Sequence, residues 1–164
     1  MSDISALVEG FREFQERYLV DESGKFQRLR DKGQTPEIMM IACCDSRVDP
    51  AIITNSTSGD ILVVRNIANL VPPFSNTGHY QDIYASIEYG VCYLGVKHII
   101  VMGHSRCGGI RSLMTRMLDD FDPSHPLDDW TSIAEPIARK ILDENNSDDL
   151  TDKVCRCSRQ VISL

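Results

Sequence analysis

No apolar run in this sequence approaches the roughly 20 residues needed to cross a bilayer, so no membrane span is expected. Nor is there a cluster of lysine and arginine. With a formal charge of -7, nucleic acid and anionic membrane surfaces are poor partners. The first residues include Asp3, Glu9, Glu13 and Glu16, where a basic leader would be free of acid. The stretch from Gly103 to Gly109 lacks the G-x-G-x-x-G spacing of a dinucleotide site. Six cysteines are present, yet hydrophobic residues make up 42% of the chain and no export signal accompanies them. Reduced thiols or metal ligands are therefore expected in place of a disulfide scaffold, and the cytoplasm is the expected compartment.

The 164 residues suit a single domain, 1–164, with a helical arm over residues 1–32. Ile4, Leu7, Val8, Phe11, Phe14, Tyr18 and Leu19 recur at helical spacing, which predicts an amphipathic helix that either packs on the core or docks on a second subunit. Three short apolar runs, Ile38 to Cys43, Ile61 to Val64 and His98 to Met102, read as buried strands. Helices are predicted over Tyr80 to Leu94, with Pro72-Pro73 and Asn76-Thr77-Gly78 as the loop before it, and over Gly108 to Leu118. A further helix follows a break at Asp119 to Pro123; Ser132 to Glu135 reads as its capping box, and Pro136 should kink its first turns. Leu150, Val154, Cys157, Val161 and Leu164 keep a helical stripe to the last residue, which suggests a helix that continues beyond it. Strands alternating with helices predict an α/β fold, a mainly parallel central β-sheet flanked by helices with an N-terminal helical arm.

Two motifs carry chemistry. Cys43-Cys44-Asp45-Ser46-Arg47 follows the first strand. In an extended chain Cys43, Asp45 and Arg47 share one face, which selects Cys43 as a ligand and assigns Cys44 to packing. The planar fork of Arg47 can grip Asp45 and keep it ionised. His104-Ser105-Arg106-Cys107-Gly108-Gly109 follows the third strand, at the strand ends where open α/β sheets place their sites. The helix that begins there favours a Cys107 thiolate. Each motif alone has a plainer explanation: a buried cysteine beside a loop salt bridge, or a hydrogen-bonded core histidine. Jointly, Cys43, His104 and Cys107 form a Cys₂His set that leaves a fourth position open, the pattern of catalytic zinc. A cysteine nucleophile competes less well, because His79, His98 and His125 read as loop or packing residues. Cys92 fits a buried helix position, and Cys155 and Cys157 fit surface or packing roles better than a second metal site.

The motifs, with Val64-Arg65-Asn66-Ile67-Ala68-Asn69 between them, resemble the β-class carbonic anhydrases from about Gly33 to about Leu142. The resemblance is to the plant-like subgroup. It implies one Zn²⁺ per chain and catalytic roles for Asp45 and Arg47. It also implies substrate contacts from Gln34, Leu62, Ile67, Tyr89 and Gly108, with Asp45 as a possible fourth zinc ligand in a closed state. Leu62 stands where that subgroup often has phenylalanine, implying a slightly wider pocket. Met40 and Ala42 replace the tryptophan and glycine associated with bicarbonate inhibition. A homodimer or higher oligomer is implied. The family usually continues past this length with another strand and helices, so the chain resembles one shortened at its C-terminus, with an uncovered sheet edge and an apolar helix stripe open to aggregation.

The expected reaction is the reversible hydration of carbon dioxide to bicarbonate and a proton. Zinc lowers the pKa of a bound water toward about 7, less so with two thiolate ligands than with three imidazoles, so activity should rise on the alkaline side. Hydrolysis of carbonyl sulfide or carbon disulfide on the same scaffold is one alternative, and an inactive zinc-binding fragment is another.

Overall fold

Two helices open the chain in the computed structural model, which describes residues 3–19, 24–74, 80–119, 125–144 and 148–163. Residues 1–35 and 36–164 form separate units. In the first, α1 (Ile4–Tyr18) starts at Asp3, whose carboxylate accepts the Ser5 amide at 3.3 Å and satisfies a donor that the helix leaves free. The second helix, α2 (Lys25–Lys32), ends at Gly33 with φ 76°. Their shared contact is aromatic: Phe26 of α2 meets Phe14 edge-on at 5.0 Å and Tyr18 at 5.5 Å. Neither helix buries a residue, and Ile4, Leu7 and Phe11 are exposed. The α1 stripe is thus not packed on a core within its own unit. Gln34 lies just beyond α2 and is exposed.

The second unit is built on three parallel strands, β1 (Ile38–Cys43), β2 (Ile61–Asn66) and β3 (His98–Met102), in the order β2-β1-β3. Met39 to Cys43 are all buried, because β1 is central and covered on both faces. The expectation that the other two runs are equally buried is corrected. Those strands flank β1, β2 is only partly buried, and Ile99 and Ile100 of β3 are exposed.

Helix α3 (Pro50–Thr54) follows β1, with Asp49 as its cap and Pro50 in its first turn, where no amide hydrogen bond is lost. After β2 comes α4 (Gln81–Glu88), which runs into a π-helical turn at Tyr89–Tyr93. Cys92 in that turn is exposed, which corrects its assignment to a buried position. After β3 come α5 (Gly108–Leu118), α6 (Pro126–Thr131), α7 (Glu135–Leu142) and α8 (Leu150–Gln160). One core gathers Met39, Ile41 and Ile83. The other gathers Cys107, Ile110, Leu113 and Met114 with Ala138, Ile141, Val154 and Cys157, so α5, α7 and α8 share one apolar centre.

Three further expectations are corrected here. The capping box at Ser132 to Glu135 does not form. A 3₁₀ turn over Ser132–Ala134 joins α6 to α7, and the Ser132 hydroxyl donates to the Asp129 carbonyl instead. Pro136 falls in the first turn of α7, where it starts that helix instead of interrupting one. The stripe on α8 is not left open: Val154, Cys157 and Val161 are buried within the chain, and the helix tightens into a 3₁₀ turn over Val161–Ser163. Burial pushes the Cys157 thiol up to about 11. Asn76-Thr77-Gly78, His79, the break from Asp120 to Pro123, and Leu164 lie outside the described residues.

Asp128 on α6 is fully buried, and its Oδ2 accepts from Arg116 Nη1 on α5 at 2.9 Å. This ion pair ties α6 to the core. Arg116→Ala leaves a buried carboxylate without its cation and should destabilise the chain by about 3 kcal/mol in urea unfolding. Arg12→Ala, which breaks an exposed pair with Glu9, should cost under about 1 kcal/mol.

Candidate metal centre

Parallel pairing puts the C-terminal ends of β1 and β3 side by side, with Ala42 opposite Met102. The chain leaving β1 and the turn leaving β3 therefore emerge at the same edge of the sheet. Ligand atoms of Cys43, His104 and Cys107 come within 4.8 Å of one another. Arg106 takes the left-handed region, φ 54°, and so reverses the turn between His104 and Cys107. Cys107 then sits at the N-cap of α5.

The histidine is set up to coordinate. Its Nδ1 lies 3.0 Å from the Ser105 carbonyl, an oxygen that only accepts, so Nδ1 carries the proton. The lone pair is left on Nε2, which is buried and has no hydrogen-bond partner among the described residues. The two sulfurs stand 3.9 Å apart. Donation from Cys107 pulls the Cys43 thiol well below its ordinary range, and the same contact together with burial holds the Cys107 thiol up. The amides of Ile110 and Gly109 at the start of α5 act in the opposite sense on Cys107 but do not prevail. Two thiolates so close repel, and a dication between them removes the conflict. The donor set, the orphaned nitrogen and the paired sulfurs all fit zinc.

Asp45 stands beside this group, with Oδ2 4.0 Å from His104 Nε2. Arg47 grips it as a fork: Nε donates to Oδ1 at 2.8 Å and Nη2 to Oδ2 at 2.7 Å, and the Arg47 amide adds a third bond at 3.0 Å. These bonds hold the Asp45 carboxyl well below the usual carboxylate range, so it is ionised at neutral pH. Arg47 Nη2 also donates to the Arg106 carbonyl at 3.2 Å, which links the two motifs directly.

Arg65 organises the same loop from β2. It donates to the carbonyls of Cys43 and Asp45 at 3.1 and 2.8 Å and to the Asp49 carboxylate at 2.9 Å. Sequence reasoning placed Arg65 in a linking segment and gave it no role. Its signal, an arginine 16 residues beyond Asp49, becomes readable only once the pairing of β1 with β2 is known.

A cavity of about 270 Å³ opens on this cluster, lined by Cys43, Cys44, Asp45, Ile67, Gly108, Gly109 and Leu127. Cys44 is exposed there, which corrects its assignment to packing: β1 ends at Cys43, so strand alternation does not extend to the next residue. Leu62 and Tyr89 do not line this cavity. Leu62 packs with Met39 and Ile41, and Tyr89 is exposed and stacked on Tyr93 at 6.1 Å. Gln34 belongs to the other unit. Leu127 carries no such signal, being a lone leucine 18 residues beyond the end of the second motif.

Comparison with known proteins gives a consistent result. The sequence model of a family described as carbonic anhydrase matches residues 38–163. A carbonic anhydrase of Synechococcus elongatus is 37% identical over 149 residues, covering 90% of this chain and 53% of that protein. Beta carbonic anhydrase 3 of Arabidopsis thaliana is 36% identical over 135 residues, covering 81% and 52%. The chain thus spans about half the length of these curated relatives. Among solved structures, the beta-carbonic anhydrase CcaA superposes with a TM-score of 0.79 at 33% identity, over 98% of this chain and 71% of that one. A tetrameric beta-carbonic anhydrase of Sordaria macrospora gives 0.74 at 30% identity, over 96% and 75%. With the Cys₂His cluster and the Arg-clamped aspartate in place, the chain belongs to the carbonic anhydrase family, in its β class.

Proposed function

We propose that this protein catalyses the reversible hydration of carbon dioxide to bicarbonate and a proton, with zinc held by Cys43, His104 and Cys107. The observation that carries the reading is the convergence of these donors beside a carboxylate locked by Arg47. Zinc, when bound, supplies a water whose pKa is lowered toward about 7, a nucleophile available near neutrality.

The protein's part is orientation and environment. Asp45, ionised and held on both oxygens by Arg47, is an acceptor only. It takes a hydrogen bond from the attacking water and turns a lone pair toward the substrate carbon. The hold of Arg47 also opposes movement of Asp45 into a fourth ligand position. Ile67 and Gly108 line the apolar part of the cavity, which suits an uncharged substrate. The family resemblance assigns Gln34 to orienting the developing bicarbonate and gives Leu62 and Tyr89, which lie outside this chain's own cavity, substrate contacts in the assembled oligomer. A homo-oligomer, at least a dimer, is the working assembly, in line with the tetramers described for the Sordaria enzyme. None of the described helices is long and apolar enough to cross a membrane, and we place the protein in the cytoplasm.

Substitution separates ligand from neighbour. Cys43→Ser should strip zinc from the purified protein, because a hydroxyl is a poor zinc donor, whereas Cys44→Ser should retain one zinc per chain by elemental analysis. The reverse pattern would move the ligand to Cys44. Asp45→Asn should keep the metal and lower carbon dioxide turnover by roughly 100-fold, measured by stopped flow. A zinc-loaded parent with no hydration activity would instead mark the chain as a non-catalytic zinc protein.

A further inference from the structure

One wall of the cavity comes from a helix that neither motif includes. Leu127 lines the cavity from α6 and is 38% exposed. Trp130, three residues on, lies on the same helical face. Its indole N–H donates to the Ile67 carbonyl at 2.8 Å. Ile67 itself lines the cavity, so α6 both supplies a wall residue and fastens a second one.

The segment so fastened is under backbone strain. Ile67 opens a tight turn in which Ala68 and Asn69 adopt φ 64° and 48°, the left-handed region that side chains disfavour. Three restraints hold it. The Asn66 amide bridges both the N–H and the carbonyl of Leu70, each at 2.9 Å. Gly109 packs so closely that a Cβ there would lie 2.5 Å from Ile67 Cγ2 and 3.3 Å from Ala68 Cβ. The third restraint is the bond from Trp130, the only one of the three that reaches the carbonyl of Ile67. The Trp130 ring is itself braced by Tyr80, edge-on at 5.2 Å.

We infer that α6 sets the width of the substrate pocket: Leu127 contacts the substrate, and Trp130 is a positioning residue that acts through Ile67. The inference deepens the carbon dioxide reading and rests on it. Carbon dioxide is small, linear and uncharged, so apolar walls at the right spacing determine how well it is held, while the chemical step depends on Asp45 and the metal. Releasing the Ile67 carbonyl lets the strained turn relax and the wall loosen. Weaker holding without loss of chemistry appears in KM and spares kcat.

The test uses the full chain loaded with zinc for kinetics and with cobalt for titration. Thiocyanate, a linear triatomic anion, is followed through the cobalt visible spectrum. Trp130→Phe keeps an aromatic ring and removes the donor. It should raise both KM for carbon dioxide and Kd for thiocyanate by about fivefold, with kcat changed by less than about twofold and metal content unchanged. Leu127→Ala should raise both constants in the same direction. Parent values of KM and Kd in Trp130→Phe, or a loss confined to kcat, would overturn the inference by reducing Trp130 to a fold-supporting residue. If Trp130→Phe does not fold, Leu127→Ala decides alone, and an unchanged Kd in that variant overturns the pocket wall. A parent that binds cobalt and thiocyanate yet leaves carbon dioxide unhydrated refutes the proposed function; the thiocyanate shift in the variants then decides whether α6 shapes the cavity.

Discussion

The in-register parallel pairing of β1 with β2 and β3 is the constraint on which the centre depends. Cys43 lies at the end of β1 opposite Asn66, and Met102 ends β3 opposite Ala42. This register is what brings residues 43 and 104–107 to one edge, although about 60 residues of chain separate them. A slip of one residue would turn Met39 and Ile41 out of their core and carry Cys43 away from Cys107. The buried aliphatic content of β1 therefore does more than stabilise the sheet, since it also indexes the ligands.

Around that edge the loops are fixed by arginines. Arg47 ties the first loop to the turn that bears Cys107, and Arg65 ties the same loop back to β2. Both use guanidinium geometry that lysine lacks, with several directed donors reaching different acceptors at once. The carboxylate that faces the metal site is thereby positioned by bonds made outside that site. Its protonation and its direction are set by one partner, Arg47.

Much of this was legible in the sequence because the chemistry is local there. The two motifs named Cys43, Asp45, Arg47, His104 and Cys107, and strand β1, strand β3 and helix α5 fell where the apolar patterns placed them. What escaped notice had weak local signals. Helix α2 carries only Phe26 and Leu29 as apolar residues among charged and polar ones, and α3 and α6 are shorter than two turns. Burial of β3 was misread because a run of isoleucine and valine looks alike at a sheet centre and at its edge. The Ser-x-x-Glu spacing at 132–135 resembled a capping box, but α6 had already turned the chain and a serine inside a continuing helical path has no free N-terminus to cap. Trp130 and Leu127 carry no catalytic chemistry of their own, so only the bond from Trp130 to Ile67 and the cavity that Leu127 lines reveal their place.

The close packing of Gly109 on Ile67 has an evolutionary corollary. Any side chain at position 109 collides with the branched side chain at position 67. The two sites cannot drift independently: a trimmed residue at 67 must come first before anything larger than hydrogen is accepted at 109. Lineages that explore altered pocket shapes on this scaffold are thus confined to one order of steps, and the glycine is the later of the two to change.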